Sequence, residues 1–206
     1  MTFNIDDNKK IKEFSELCSE VVRCRKCFKE FKMEKFYTFF DGSLFAPIMI
    51  VGQSPVYPLP REKTRPFSLL DDMHQHKGSR WLRKCFDEAT LDYKAVYITN
   101  LVKDSADNNK VNDKMIENCS IFLEKELEMF KGKVILTFGS SACKYFKVKP
   151  NDSRNYKNGT YVFGTYHPSY VMRGGEERRN NFINTLKMIK ELIDFKKKEK
   201  SLDDYK

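Results

Sequence analysis

The sequence predicts an α/β protein in which helices cover both faces of a central, mainly parallel four-stranded sheet, giving three layers. Two observations carry this. Four runs of four or five largely apolar residues, Ile48 to Val51, Ala95 to Thr99, Val134 to Phe138 and Tyr161 to Thr165, have the length and composition of strands buried on both faces. Helical patterns separate them, and a strand–helix–strand alternation brings strands together in parallel through right-handed crossovers. With 206 residues and 40% hydrophobic content, the chain suits one core: a single domain over 1–195 and a charged tail over 196–206.

The first helix is expected over Asn8 to Val22, with Ile11, Phe14, Leu17, Val21 and Val22 near helical spacing, and it leads into the Cys24 segment. Further helical patterns cover Ser79 to Ala89, Asp113 to Phe130, Ser140 to Phe146 and Glu177 to Phe195. Asp113 reads as an N-cap, and Gly132 stands where that helix should have stopped. Beyond Phe195 the charged run reads as a frayed helix end or a disordered extension.

The 38 Lys and Arg against 29 Asp and Glu give a net charge of +9, which suits a polyanionic partner, nucleic acid first among them. The competing explanation is a lysine-rich composition, since Lys196, Lys197, Lys198 and Lys200 crowd the tail. Met1 to Asp7 lacks the basic and apolar regions of a secretory signal, and no apolar run approaches the ~20 residues that span a bilayer. A cytoplasmic protein that acts as a monomer and does not engage membranes is expected. Its six cysteines would then stay reduced, as candidate ligands rather than disulfides.

Five short segments stand where strands or helices end: Gly52-Gln53-Ser54-Pro55, Arg65-Pro66-Phe67, Tyr97-Ile98-Thr99-Asn100, Thr137-Phe138-Gly139 and Tyr166-His167-Pro168-Ser169-Tyr170. An open parallel sheet presents its functional residues at the carboxyl ends of its strands, so these segments can converge on one crevice. Glycine and proline in the first make a tight turn that can point backbone N–H groups into that crevice. The Asn100 amide offers both a donor and an acceptor, and His167 precedes a proline-fixed loop.

In this order the segments resemble the uracil-DNA glycosylase superfamily, most closely its iron–sulfur family 4 branch, over about Cys24 to Met188. Val96-Tyr97-Ile98-Thr99-Asn100 matches the family's Val-Tyr-Ile-Thr-Asn, and His167-Pro168-Ser169-Tyr170-Val171-Met172-Arg173 resembles its His-Pro-Ser-Tyr-Leu-Leu-Arg. Arg65-Pro66-Phe67 resembles the end of Gly-Arg-Pro-Phe. The resemblance implies a monofunctional DNA glycosylase that flips a pyrimidine out of DNA and hydrolyses its glycosidic bond. Phe67 would stack on the base, with Gly52 and the Gln53 backbone beside it. Asn100 would pair with N3–H and O4 of uracil or, with its amide turned over, with cytosine. His167 would stabilise the departing anion. Val171 and Met172 would form the wedge that enters the base stack, with Ser169 and Arg173 on the DNA backbone.

The same resemblance implies a [4Fe-4S] cluster. Cys24, Cys27 and Cys119 stand at three of its ligand positions, and Asp104 occupies the fourth, where the branch has cysteine. Zinc on three thiolates and a carboxylate, or buried cysteines without metal, are the alternatives. Cys85 and Cys143 read as core, and Cys18 as a poor substitute ligand.

Two departures bear on the substrate. Ser54 stands where the best-known branch carries a water-activating aspartate, and a serine hydroxyl can position water but not ionise it at neutral pH. Ser68 to Lys77, which includes Asp71, Asp72, His74 and His76, makes the loop after Phe67 longer than in family 4. The loop is either a neutral insertion or a reshaped pocket in which Asp71 or Asp72 replaces the missing activator. Uracil is the expected substrate. A modified pyrimidine, as in viral DNA with a defence role, and a non-catalytic DNA-binding module are the alternatives.

Overall fold

The computed structural model describes residues 5–35, 38–56, 69–70 and 77–203. In chain order the elements are α1 (Ile5–Arg23), β1 (Met33–Glu34), β2 (Asp41–Gly42), β3 (Ile48–Gly52), α2 (Lys77–Glu88), β4 (Val96–Asn100), β5 (Ser105–Ala106), α3 (Asp113–Met129), β6 (Val134–Phe138), α4 (Ser140–Tyr145), β7 (Ser153–Asn155), β8 (Tyr161–Thr165), α5 (Pro168–Val171) and α6 (Gly175–Asp203). The four expected strands form the parallel centre of the sheet in the order β4-β3-β6-β8. Short β2 and β7 add antiparallel edges, making six strands, and β1 pairs separately with β5. These additions are two or three residues long, too short for their periodicity to be read from sequence.

Strand alternation divides the core into two layers. Met49, Val51, Tyr97, Ile135 and Val162 point to the face covered by α1, α3 and α4, where they meet Leu17, Val21, Phe122, Leu123 and Phe146. Ile48, Ile50, Val96, Ile98, Val134, Leu136 and Phe163 point to the other, against Leu82, Cys85 and Phe86 of α2 and Phe182, Ile183, Leu186 and Ile189 of α6. Cys85 and Cys143 are both buried core residues, as their helical positions imply.

Asn112, not Asp113, caps α3: its side chain accepts from the Met115 N–H, and Asp113 is the first helical residue. Both residue types cap helices, and the extended backbone at Asn112 decides between them. After α3 the chain passes Gly132 in a space that admits no side chain, since a Cβ there would stand 2.5 Å from the Ala46 carbonyl oxygen. No helix among the described residues is long and apolar enough to cross a membrane.

Candidate active site

Strand register assembles one edge of the sheet from the expected segments. Gly52 pairs with Asn100, Val51 with Thr137, and Phe138 with Thr165, so the loops after β3, β4, β6 and β8 leave side by side. At strand spacing, β4 and β8 lie roughly 14 Å apart.

At the β4 end, Asn100 is 2% exposed, and its Oδ1 is a buried acceptor with no hydrogen bond among the described residues. The backbone beneath it is held tightly. The Lys103 ammonium, 1% exposed, donates to the Asn100 carbonyl at 2.7 Å, to Thr99 Oγ1 at 2.9 Å and to Glu126 Oε2 at 2.5 Å. Glu126 reaches up from α3, wholly buried, and its Oε1 accepts from the Tyr97 and Thr99 hydroxyls. All three ammonium protons are therefore matched, as a buried charge requires. Sequence reading missed this network. Its only signal was a lysine three residues after Asn100, indistinguishable from the surface lysines until α3 is placed over the strand.

The Gln53 side chain bridges neighbouring loops: Nε2 donates to the Asn109 carbonyl at 3.1 Å, and Oε1 accepts from Ser141 Oγ at 2.6 Å. The Gln53 backbone carbonyl in turn accepts from the Val102 N–H at 2.9 Å. Ser105 Oγ donates to the Val56 carbonyl at 2.5 Å, pinning the loop that carries half-buried Ser54.

At the β8 end, His167 caps α5. Its Nδ1 accepts from the Ser169 N–H at 3.2 Å and lies 2.7 Å from Ser169 Oγ. An acceptor at Nδ1 puts the proton of the neutral ring on Nε2. Burial, with the Arg173 charge adding to it, lowers the His167 pKa from the ordinary imidazole value, which keeps the ring neutral at pH 7. Gly139, at φ +93°, carries the chain past this histidine, and a Cβ there would lie 3.4 Å from the His167 Cβ.

Val171, expected as part of the wedge, is 2% exposed and packs in the α2/α6 layer with Phe182, so entering DNA would require it to leave that layer. The turn of α5 directs it inward, which a strand-end loop read from sequence could not reveal. Met172 is half-buried, while Ser169 and Arg173 are exposed. Phe67, Asp71, Asp72 and the rest of their loop except Leu69, Leu70 and Lys77 lie outside the described residues. Leu69 is fully buried, and Arg83 Nε donates to its carbonyl at 2.8 Å.

Cys24, Cys27, Cys119 and Asp104 lie in one corner, close enough that Cys27 feels the charges of Cys24 and Asp104, and Cys119 those of Cys27 and Asp104. Asn118 Nδ2 donates to Cys27 Sγ at 3.3 Å, and the Lys103 backbone hydrogen-bonds the Cys119 thiol. Such N–H···S bonds fit thiolates that ligate iron. Burial raises both thiols, Cys119 to about 11, so ligation would release their protons. Asp104 is bonded instead to Lys35, whose Nζ lies 3.1 Å from Asp104 Oδ2 and also donates to the Val21 carbonyl. Among the described residues no three His, Cys, Asp or Glu side chains are grouped closely enough to hold one metal ion as they stand. Cys18 lies instead near Glu126, whose charge it feels.

A family model described as "Uracil DNA glycosylase superfamily" matches residues 39–190, the span that holds both ends of this crevice. The chain belongs to this superfamily. Among curated superfamily proteins, it is 28% identical over 187 residues to the type-4 uracil-DNA glycosylase of Sulfurisphaera tokodaii, covering 82% of this chain and 77% of that one. It is 28% identical to the type-4 uracil-DNA glycosylase of Thermotoga maritima, over 77% of this chain and 82% of that one. The similarity to the type-4 uracil-DNA glycosylase of Archaeoglobus fulgidus is 24% identity over 95% of this chain and 100% of the relative.

Proposed function

We propose that this chain is a monofunctional DNA glycosylase that extrudes uracil from DNA and hydrolyses its N-glycosidic bond. The buried Oδ1 of Asn100, without a partner among the described residues, carries the reading. A buried acceptor without a donor is costly, and uracil N3–H supplies that donor while Asn100 Nδ2 meets O4. Cytosine presents an acceptor at N3 and would leave Oδ1 unmatched unless the amide turned over. The relatives named for uracil support the same substrate.

As the glycosidic bond breaks, its electron pair passes to the base and spreads onto O2 and O4. The Nε2–H of neutral His167 would donate to O2, and Asn100 Nδ2–H to O4, so both strengthen as charge develops. The sugar becomes oxocarbenium-like, water adds at its anomeric carbon, and the water's second proton leaves to solvent. Ser54 would position that water, and Phe67 would stack on the base.

Cys24, Cys27, Cys119 and Asp104 would hold the iron–sulfur cluster that the resemblance implies. Bound there, the cluster would supply a structural cross-link between the segment after α1, the loop after β4, and α3. Iron and sulfide analysis of anaerobically purified protein tests this: their absence overturns it, and stoichiometric zinc would restore the zinc reading.

The activity test is single-turnover incubation with oligonucleotides carrying uracil or modified pyrimidines, followed by cleavage at abasic sites. Abasic sites at uracil support the proposal. Excision confined to a modified pyrimidine overturns the substrate, and no abasic product from any overturns the enzyme.

A further inference from the structure

We propose that Tyr166, Tyr170 and Arg178 form a stacking platform for a DNA base next to the extruded nucleotide. This rests on the glycosylase reading above. Tyr166 and Tyr170 bracket His167 in sequence and are each 40% exposed. Their ring centroids are 5.1 Å apart with planes tilted by 40°. The Arg178 guanidinium lies over the Tyr170 ring, 4.2 Å from its centroid. These side chains make a three-member cluster at the protein surface.

Arg178 belongs to the first turns of α6, and Gly174 makes room for it: a Cβ there would stand 2.0 Å from Arg178 Cδ and 2.6 Å from Nη1. Two neighbouring exposed tyrosines contribute little to a core that already holds Val171, the inward residue of the same turn. Their geometry fits a base better. Every base has a π face that stacks on tyrosine or on a guanidinium plane, whatever the sequence. Residues 166–173 carry no carboxylate, and exposed Arg173 stands on the same loop for a phosphate. Burial of Val171 leaves these tyrosines as the exposed aromatic groups of the loop that carries His167. The cluster is thus suited to support the strand from which a base has been drawn.

The test uses single-stranded and duplex oligonucleotides containing an uncleavable 2′-fluoro-deoxyuridine, with 2-aminopurine on its 5′ or 3′ side. Tyr166→Ala and Tyr170→Ala should each weaken binding by about 5- to 100-fold and abolish a 2-aminopurine quench seen with the parent. Tyr→Phe at either position should keep both, because the ring and not the hydroxyl stacks. Arg178→Gln should weaken binding and reduce the quench, because the guanidinium over the Tyr170 ring is lost. Circular dichroism checks that the variants are folded. Parent-like affinity and quench in both alanine variants, or a parent that binds without quenching on either side, overturn the platform. If the parent excises uracil in either case, the glycosylase reading stands and only the platform falls. A parent that neither binds nor excises overturns both.

Discussion

The two ends of the crevice are built differently. At the β4 end, Asn100 stands on a buried lattice in which Lys103, Glu126, Tyr97 and Thr99 satisfy one another across two elements. At the β8 end, His167 caps a four-residue helix and is oriented by its near neighbour Ser169. Under the proposed function Asn100 reads a base and must hold one geometry, which the core supplies. His167 would stand beside entering DNA, and local chain chemistry orients it. The β4 end should therefore couple chemistry to fold stability, and the β8 end should not.

The largest effect expected from this contrast is on stability. Lys103→Met leaves the Glu126 carboxylate buried without its partner, and breaking such a pair costs about 3–5 kcal/mol. Lys103→Met/Glu126→Gln should recover most of that loss in urea denaturation while keeping an acceptor for the Tyr97 hydroxyl. The double variant should still excise uracil more slowly than the parent, because the Asn100 carbonyl has lost its donor. A double variant as fast as the parent would show that the lattice supports the fold alone.

His167→Ala should lower the single-turnover rate ~10²-fold or more, with denaturation midpoint and DNA affinity nearly unchanged. A large loss of stability would contradict the surface character of the β8 end.

Asn100→Ala gives the sharper comparison at the other end. The side chain lies in the core, but its Oδ1 has no partner among the described residues, so truncation should cost little stability. The rate of uracil excision and discrimination between uracil and cytosine should both fall. Unaltered base preference in a folded variant would place base reading elsewhere.

The smallest effect concerns acidity. The pKa of His167 is lowered in the folded state, so the native protein takes up this proton less readily than the unfolded chain. Acidification below about pH 6.5 should therefore destabilise the parent slightly, and His167→Ala should lack this contribution. The single-turnover rate should hold level down to about pH 6.5 and fall only below it, as the neutral ring is lost. A rate that rose on acidification would mean that the imidazolium is the active form.

The four central strands and the main helices were legible in the sequence because each is a run long enough for its periodicity to show. Register then brings Gly52, Asn100, Phe138 and Thr165 to one edge, which the order of the strand-end segments had implied. The edge strands were not legible, since Asp41–Gly42 and Ser153–Asn155 are too short to carry a pattern. The inward direction of Val171 was not legible for a related reason: one turn of helix redirects a side chain, and four residues do not announce a helix.

The sequence by itself determined which residues can do chemistry, because an amide, an imidazole or a thiol keeps its donors and acceptors wherever it lies. It also determined the layered architecture, because apolar runs must be buried on both faces. Only the tertiary structure decided that Lys103 is a buried support rather than a surface charge, that Asp104 pairs with Lys35, and that Tyr170 faces outward while Val171 faces inward. Burial and partnership belong to pairs of groups distant in sequence. Glu126 lies 23 residues from Lys103 and Lys35 lies 69 from Asp104, and packing of α3 and of the segment after α1 brings each pair together.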